Sequence, residues 1–356
     1  MTRIQSAIAR GALLPRLEAR LAGFFSGRIA TAERYGSDYL RLWTSARDAA
    51  EGGKRIRPRF VLSAFEALGG TDEDAALDTA LAFELLHTAF LLHDDVIDGD
   101  LVRRGRPNLA GAFAADAQGR GIGDARAALW GESAAILAGD LLLHASASLI
   151  ARVDVAAATR AALLDVLDHS IFVTAAGELA DVSFSVRLSD ARLPDVLAMT
   201  ERKTAAYSFA GPLSAGALLA GAGGDTLASL EHYGRMLGVA FQLGDDLLGV
   251  FGAEDVTGKS VVSDLRQGKE TSLIAYARAT AWWPRIAASF GRTDLGADDA
   301  RRLAAALEEC GARAFVEGLL TEHADAALAA LGDGSVPAAL AEELGDVARA
   351  CVGRVV

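Results

Sequence analysis

The segment Leu91–Pro107, LLHDDVIDGDLVRRGRP, brings an apolar run up to four aspartates within seven residues and then to a pair of arginines. Asp94, Asp95 and Asp98 form a DDxxD pattern. On a helix, Asp94 and Asp98 share one face, one turn apart. Like charges at that spacing repel and weaken the helix slightly. A hard divalent cation reverses the sign. Paired carboxylates suit Mg²⁺, which keeps several waters and takes phosphate oxygens as further ligands. A solvated acidic helix end has the same composition, so the pattern alone leaves both readings open. Arg103 and Arg104 then offer guanidinium forks that match phosphate.

Other stretches carry charge of the same kind. Gly52–Pro58 reads GGKRIRP and supplies Lys54, Arg55 and Arg57, either a second anion site or a plain basic loop. Further on, FQLGDDLLGVFG places Asp245 and Asp246 inside an otherwise apolar helix, Met236–Phe251. Carboxylates in such a helix are expensive unless a cation compensates them. Lys203 and Thr204 fall at an expected helix junction, and Lys259, Asp264 and Lys269 follow the second acidic pair. His87 and His93 raise the question of zinc, but neither lies four residues from another histidine, and zinc is set aside.

The elements that must position these groups read as helices. Periodicity predicts one long helix over Asp74–Asp98 and others over Glu132–Arg152, Val155–Val186, Leu193–Arg202, Thr204–Ala220 and Asp225–Phe251. Glycines and charges in Phe113–Gly131 and in Gly252–Gly268 predict loops. Helical hairpins fill the remainder, with breaks near Gly291–Gly296 and Gly332–Pro337. Strand alternation is nowhere persuasive. The expectation is an all-α, single-domain bundle over residues 1–356, with 1–30 as an N-terminal helix or arm.

Composition narrows the function classes. The formal net charge is −12 over 356 residues, which disfavours nucleic acid as a partner. Cys310 and Cys351 form neither a disulfide framework nor a metal cluster spacing, so a reducing, cytoplasmic setting is expected. Thr204–Gly224 is uncharged and long enough to span a membrane, but its glycines, alanines and Pro212 read as a buried core helix, and no transmembrane span is expected.

Taken in order, GKRIRP, ELLHTAFLLHDDVIDGDLVRRGRPN, GELADV, the Lys203–Thr204 pair, FQLGDDLLGVFG and GKSVVSDLRQGK resemble the trans-isoprenyl diphosphate synthases of the polyprenyl synthetase family. The resemblance covers most of the chain. It implies an all-α homodimer of the isoprenoid synthase type with a deep central cavity. It implies condensation of isopentenyl diphosphate with an allylic diphosphate (dimethylallyl, geranyl or farnesyl), with loss of pyrophosphate and three Mg²⁺ per active site. Asp94, Asp98 and Asp245 match metal-binding positions, and Asp95 belongs to the same catalytic motif. Arg103, Lys203, Thr204, Gln242 and Lys259 match positions that hold the allylic diphosphate, and Lys269 is taken as a further substrate-binding cation. Lys54, Arg57, His87 and Arg104 match positions that hold isopentenyl diphosphate. Chain length in the family follows the residues just before the first aspartates, here Ala89 and Phe90, and this mixed pair predicts a C20 geranylgeranyl product. Farnesyl or longer products, a class I terpene cyclase and a non-catalytic subunit of a heteromeric synthase are the alternatives. Two positions depart from the family pattern: Gly249 ends the second aspartate motif without its last carboxylate, and Glu178 stands where an amide is common.

Overall fold

The structure, a computed structural model, describes residues 13–189, 191–252, 262–292 and 294–354; of residues 262–264 only the backbone is described. The elements are α1 (Leu14–Ala32), a 3-10 turn (Glu33–Tyr35), α2 (Ser37–Ala50), α3 (Ile56–Ala67), α4 (Glu73–Ile97), a two-strand ladder of β1 (Val102–Arg103) and β2 (Arg106–Pro107), α5 (Leu109–Gly119), α6 (Asp124–Arg152) and α7 (Ala157–Ser185). Then come α8 (Leu193–Thr200), a π-helix (Glu201–Ala210), α9 (Gly211–Leu219), α10 (Gly224–Phe251), α11 (Val262–Gln267), α12 (Ser272–Arg278), α13 (Trp283–Ala287), α14 (Ala297–Glu309), α15 (Ala312–Ala330) and α16 (Ala338–Val352). The all-α expectation holds.

Internal packing gathers the chain into two compact units. One takes in the described residues up to Asp165 together with Ala215–Gly221; the other takes in Val166–Ser214 and the described residues from Ala222 onward. Of the three boundaries within the described residues, two fall inside α7 and α9, and the third falls in the turn between α9 and α10.

In the first unit, α4 is the central helix. Its start is fixed by the Asp72 carboxylate, which accepts from Ala75 N at 3.0 Å, with Glu73 and Asp74 in the first turn, where the helix dipole favours acids. Arg20 of α1 reaches Asp74 at 2.7 Å and Asp78 at 2.6 Å. The helix packs against α3 and α6, and Leu77, Leu81, Phe83, Leu85 and Leu86 are buried. In the second unit, α10 is the counterpart, packed on α15 and on the π-helix. Tyr233 of α10 is wholly buried and donates its hydroxyl to Leu344 O at 2.7 Å. Below it, Leu243, Leu247, Leu273, Leu303 and Leu320 belong to one apolar cluster.

Three local expectations are corrected. Phe113–Gly131 is not a loop: α5 and α6 run through it, broken only between Gly119 and Asp124. Its last glycine misled because it serves packing, as does Gly111 just before the segment. A Cβ at Gly131 would lie 2.3 Å from Ala110 O, and one at Gly111 would lie 2.2 Å from Leu101 O. Second, Lys203–Thr204 is no junction, since the π-helix passes straight through it. Third, Gly252–Gly268 contains α11, while residues 253–261 lie outside the described residues. Of the expected N-terminal helix or arm, residues 14–30 lie in α1, and residues 1–12 lie outside the described residues.

Thr204–Gly224 runs through the π-helix and α9 to the first residue of α10; residues 208–213 and 215–217 are buried, and Gly221, Gly223 and Gly224 are exposed. Among the described residues, two helices, α4 and α6, are long and apolar enough to cross a membrane; 78% of the α4 window is buried within the protein, as in the core helix of a folded domain, against 44% for α6.

The glycine geometry gives a paired test. Gly131→Ala must move backbone and is expected to destabilise by about 1–3 kcal/mol. Gly23→Ala, with open space around its Cβ in α1, is expected to stabilise by about 0.5–1 kcal/mol. Urea unfolding of both variants checks the contrast.

Candidate active site

The C-terminal end of α4 concentrates negative charge where the helix dipole already disfavours it. Asp94, Asp98 and Asp100 are partly exposed, whereas Asp95 is 3% exposed. Burial pushes the Asp95 carboxyl above the usual carboxylate range, and Arg103 opposes that shift. The guanidinium donates to Asp95 Oδ1 from Nε at 2.8 Å and from Nη2 at 2.5 Å, and Nη2 lies 3.7 Å from Asp94. The local sequence explains this return. Arg104 and Gly105, at φ 54° and 73°, form the turn between β1 and β2, the backbone shape that tight hairpins require. Asn108 then anchors the hairpin, donating to Asp100 O at 2.6 Å and capping α5 at Gly111 N. Asp95 therefore holds Arg103, while Asp94 and Asp98 remain one turn apart on the accessible side.

Two of the cations expected to bind isopentenyl diphosphate, Arg57 and Arg104, act electrostatically on His87. Arg104 donates to Glu51 O at 3.0 Å, which ties the hairpin to the GKRIRP loop. Lys54 is exposed and Arg57 partly so. Desolvation, then the charges of Arg57, Arg103, Arg104 and Arg55, hold the His87 imidazole well below its ordinary pKa. A neutral imidazole beside several guanidinium groups is a hydrogen-bond donor in a strongly positive field, which suits a polyanion. His93 is occupied elsewhere, with Nε2 3.3 Å from Ile136 O and 3.3 Å from Asp140.

In the second unit, glycines let three elements approach. A Cβ at Gly177 of α7 would lie 2.4 Å from Lys203 N, and Cβ atoms at Gly234 and Gly238 of α10 would meet Ala210 and Ala205 at 2.5 and 2.3 Å. The π-helix is thus held against both neighbours, and π segments often mark functional sites. Lys203 Nζ sits 2.8 Å from Glu178 and 2.6 Å from Asp181. The charge at Glu178, unexplained by the sequence, is a partner for Lys203. Thr204 lies 3.2 Å from Gln242, and Gln242 donates to Asp246 at 3.0 Å. Asp245 turns the other way and pairs with Arg354, a partner more than 100 residues distant that no sequence spacing could indicate. Lys269 adjoins Glu270, which is 3% exposed and paired with Arg278. Lys259 lies outside the described residues, as does the side chain of Asp264.

Among the described residues, no three acidic, histidine or cysteine side chains converge into a ready-made metal cage. That suits magnesium, which is held through one or two carboxylates plus waters and substrate phosphates. Asp94 and Asp98 supply hard oxygen donors at the right spacing. Below them on α4, Ala89 is fully enclosed and Phe90, one turn before Asp94, is partly exposed.

The shift at His87 sets a pH dependence. Below about pH 6.5 the unfolded chain takes up a proton at this histidine that the native protein resists. Stability therefore falls as pH drops. His87→Gln is expected to lose less stability than the parent between pH 7 and 5, by up to about 2 kcal/mol, in denaturant titrations at each pH.

Residues 42–292 match the polyprenyl synthetase family model. The chain is 38% identical over 226 residues to a short chain isoprenyl diphosphate synthase of Methanothermobacter thermautotrophicus, a match that spans 64% of this chain and 63% of that protein. It is 35% identical over 315 residues to the (2E,6E)-farnesyl diphosphate synthase of Mycobacterium tuberculosis, covering 85% of this chain and 80% of the relative. A solved geranylgeranyl pyrophosphate synthase from Corynebacterium glutamicum, complexed with isoprenyl diphosphate and magnesium, superposes with a TM-score of 0.88 at 30% identity, over 96% of this chain and 98% of that one. With its acidic helix end, its arginine hairpin and its basic loop on the fold of these enzymes, the chain belongs to the polyprenyl synthetase family.

Proposed function

We propose that the chain joins isopentenyl diphosphate to an allylic diphosphate and releases pyrophosphate, with geranylgeranyl diphosphate as main product. One observation carries this reading. Within one unit, the arginine hairpin turns Arg103 toward the aspartates, while Arg104 is tied to Glu51 O at the start of the basic loop and, with Arg57, adds to burial in depressing the His87 pKa. Two adjacent cation sets of that kind suit two diphosphates, and a cyclase that takes one substrate has no use for the second.

The allylic C–O bond breaks and its electron pair leaves with pyrophosphate. Magnesium, when bound, neutralises the charge that gathers on that leaving group. Asp94, Asp98 and Asp245 are the proposed ligands, with three ions per site. Asp95 fixes Arg103 against the leaving group, and Lys203, Thr204, Gln242, Lys259 and Lys269 add further contacts to the allylic diphosphate. Lys54, Arg57, His87 and Arg104 hold isopentenyl diphosphate so that its double bond attacks the allylic carbon. The proton lost from the adjacent carbon passes to pyrophosphate and the new double bond forms. No side chain serves as nucleophile.

Phe90 is the proposed floor for the growing chain, because it is the accessible member of the pair. Ala89 is packed inside. The exposed apolar residues Leu129, Ile136 and Leu137 fall at helical spacing along one face of α6, and exposed apolar faces mark protein–protein contacts. They support a homodimer, and the proposed setting is the cytoplasm.

Purified protein with magnesium and labelled substrates tests the reading. Turnover should require isopentenyl diphosphate, and Asp94→Asn should lower kcat about 100-fold or more. Turnover of allylic diphosphate alone would instead indicate a cyclase, and absence of turnover by the isolated protein would indicate a non-catalytic subunit. On chromatography, Phe90→Ala should give longer products than the parent.

A further inference from the structure

Of the two residues between Lys54 and Arg57 in the GKRIRP loop, the first, Arg55, points inward. Arg55 is 6% exposed and adopts φ 54°, an unusual backbone for a residue other than glycine. Its Nη1 donates to Glu84 Oε1 at 2.6 Å and to Ala50 O at 2.7 Å. Its Nε and Nη2 donate to the two Glu18 oxygens at 2.8 and 3.2 Å. Glu84 is 4% exposed and stands on α4, three residues before His87. The loop backbone lies directly on this pair. A Cβ at Gly53 would come within 2.9 Å of Arg55 Nη1 and 3.3 Å of Glu84 Oε1.

A buried ion pair of this kind adds little net stability over an apolar replacement. Its geometric content is larger. A guanidinium fork that spans acceptors on three residues fixes direction as well as distance. The left-handed turn it holds decides where the neighbouring side chains in sequence are aimed.

We propose that Arg55 and Glu84 are positioning residues that lock the GKRIRP loop to α4, and so set the separation of Lys54 and Arg57 from His87 for isopentenyl diphosphate. This rests on the reading of those three residues as its binding site. Neither Arg55 nor Glu84 touches substrate.

The test compares Glu84→Gln, Arg55→Lys and the double variant Arg55→Met/Glu84→Leu, which leaves no unpaired buried charge. The readouts are calorimetric binding of isopentenyl diphosphate and KM for each substrate at saturating magnesium. The expected result is binding and KM for isopentenyl diphosphate weakened about tenfold in the folded variants. KM for the allylic substrate and kcat should move less than about twofold. Arg55→Lys keeps the charge and loses the fork, so it should resemble the other variants. Unchanged binding in a folded double variant overturns the lock, as does an equal rise in both KM values. Wild-type binding without turnover sinks the enzymatic reading but still lets the binding ratio decide the lock, whereas no wild-type binding sinks both.

Discussion

Negative charge held at the C-terminal end of an apolar helix is the constraint on which the rest depends. Helix α4 delivers Asp94, Asp95 and Asp98 to the place where its own carbonyls are already electronegative. That arrangement is unfavourable without cations. The protein supplies one itself, turning the chain back through β1 and β2 so that Arg103 neutralises the buried Asp95. It leaves Asp94 and Asp98 partly exposed. The short hairpin, the positive φ at Arg104 and the Asn108 cap all serve that one compensation.

The second unit solves a related problem by backbone approach. Lys203 sits in a π-helix gripped by α7 and α10, and glycines at the contact points are what allow it. Each charged group there has a named partner: Lys203 with Glu178 and Asp181, Gln242 with Asp246, Asp245 with Arg354. Such pairing keeps a polar set folded and oriented before any substrate arrives, which is the condition for electrostatic catalysis to cost little reorganisation.

Gly249 and Glu178, the two departures from the family pattern, have different consequences. Glu178 has a clear occupation, since it shares Lys203 with Asp181 and so fixes the ammonium between two carboxylates. Gly249 removes one carboxylate from the second motif, and Asp245 and Asp246 remain, each engaged with its own cation or amide.

The sequence by itself determined the helical class, the family and most of the groups that carry charge, because those depend on residue type and on spacing along one helix. Asp94 and Asp98 share a face by periodicity alone, and the order of the motifs specified the rest. Only the tertiary structure decided which charges face outward. Asp95 and Arg55 have the same composition as their neighbours, yet both are buried, since burial depends on what packs from distant segments: Arg103 on one, Glu84 and Glu18 on the other. The glycines at 111, 131 and 177 mark close approach of backbones from elsewhere in the chain. Of these, Gly131 read as a loop glycine in sequence, because the neighbour that forbids a side chain is not the neighbour in the chain.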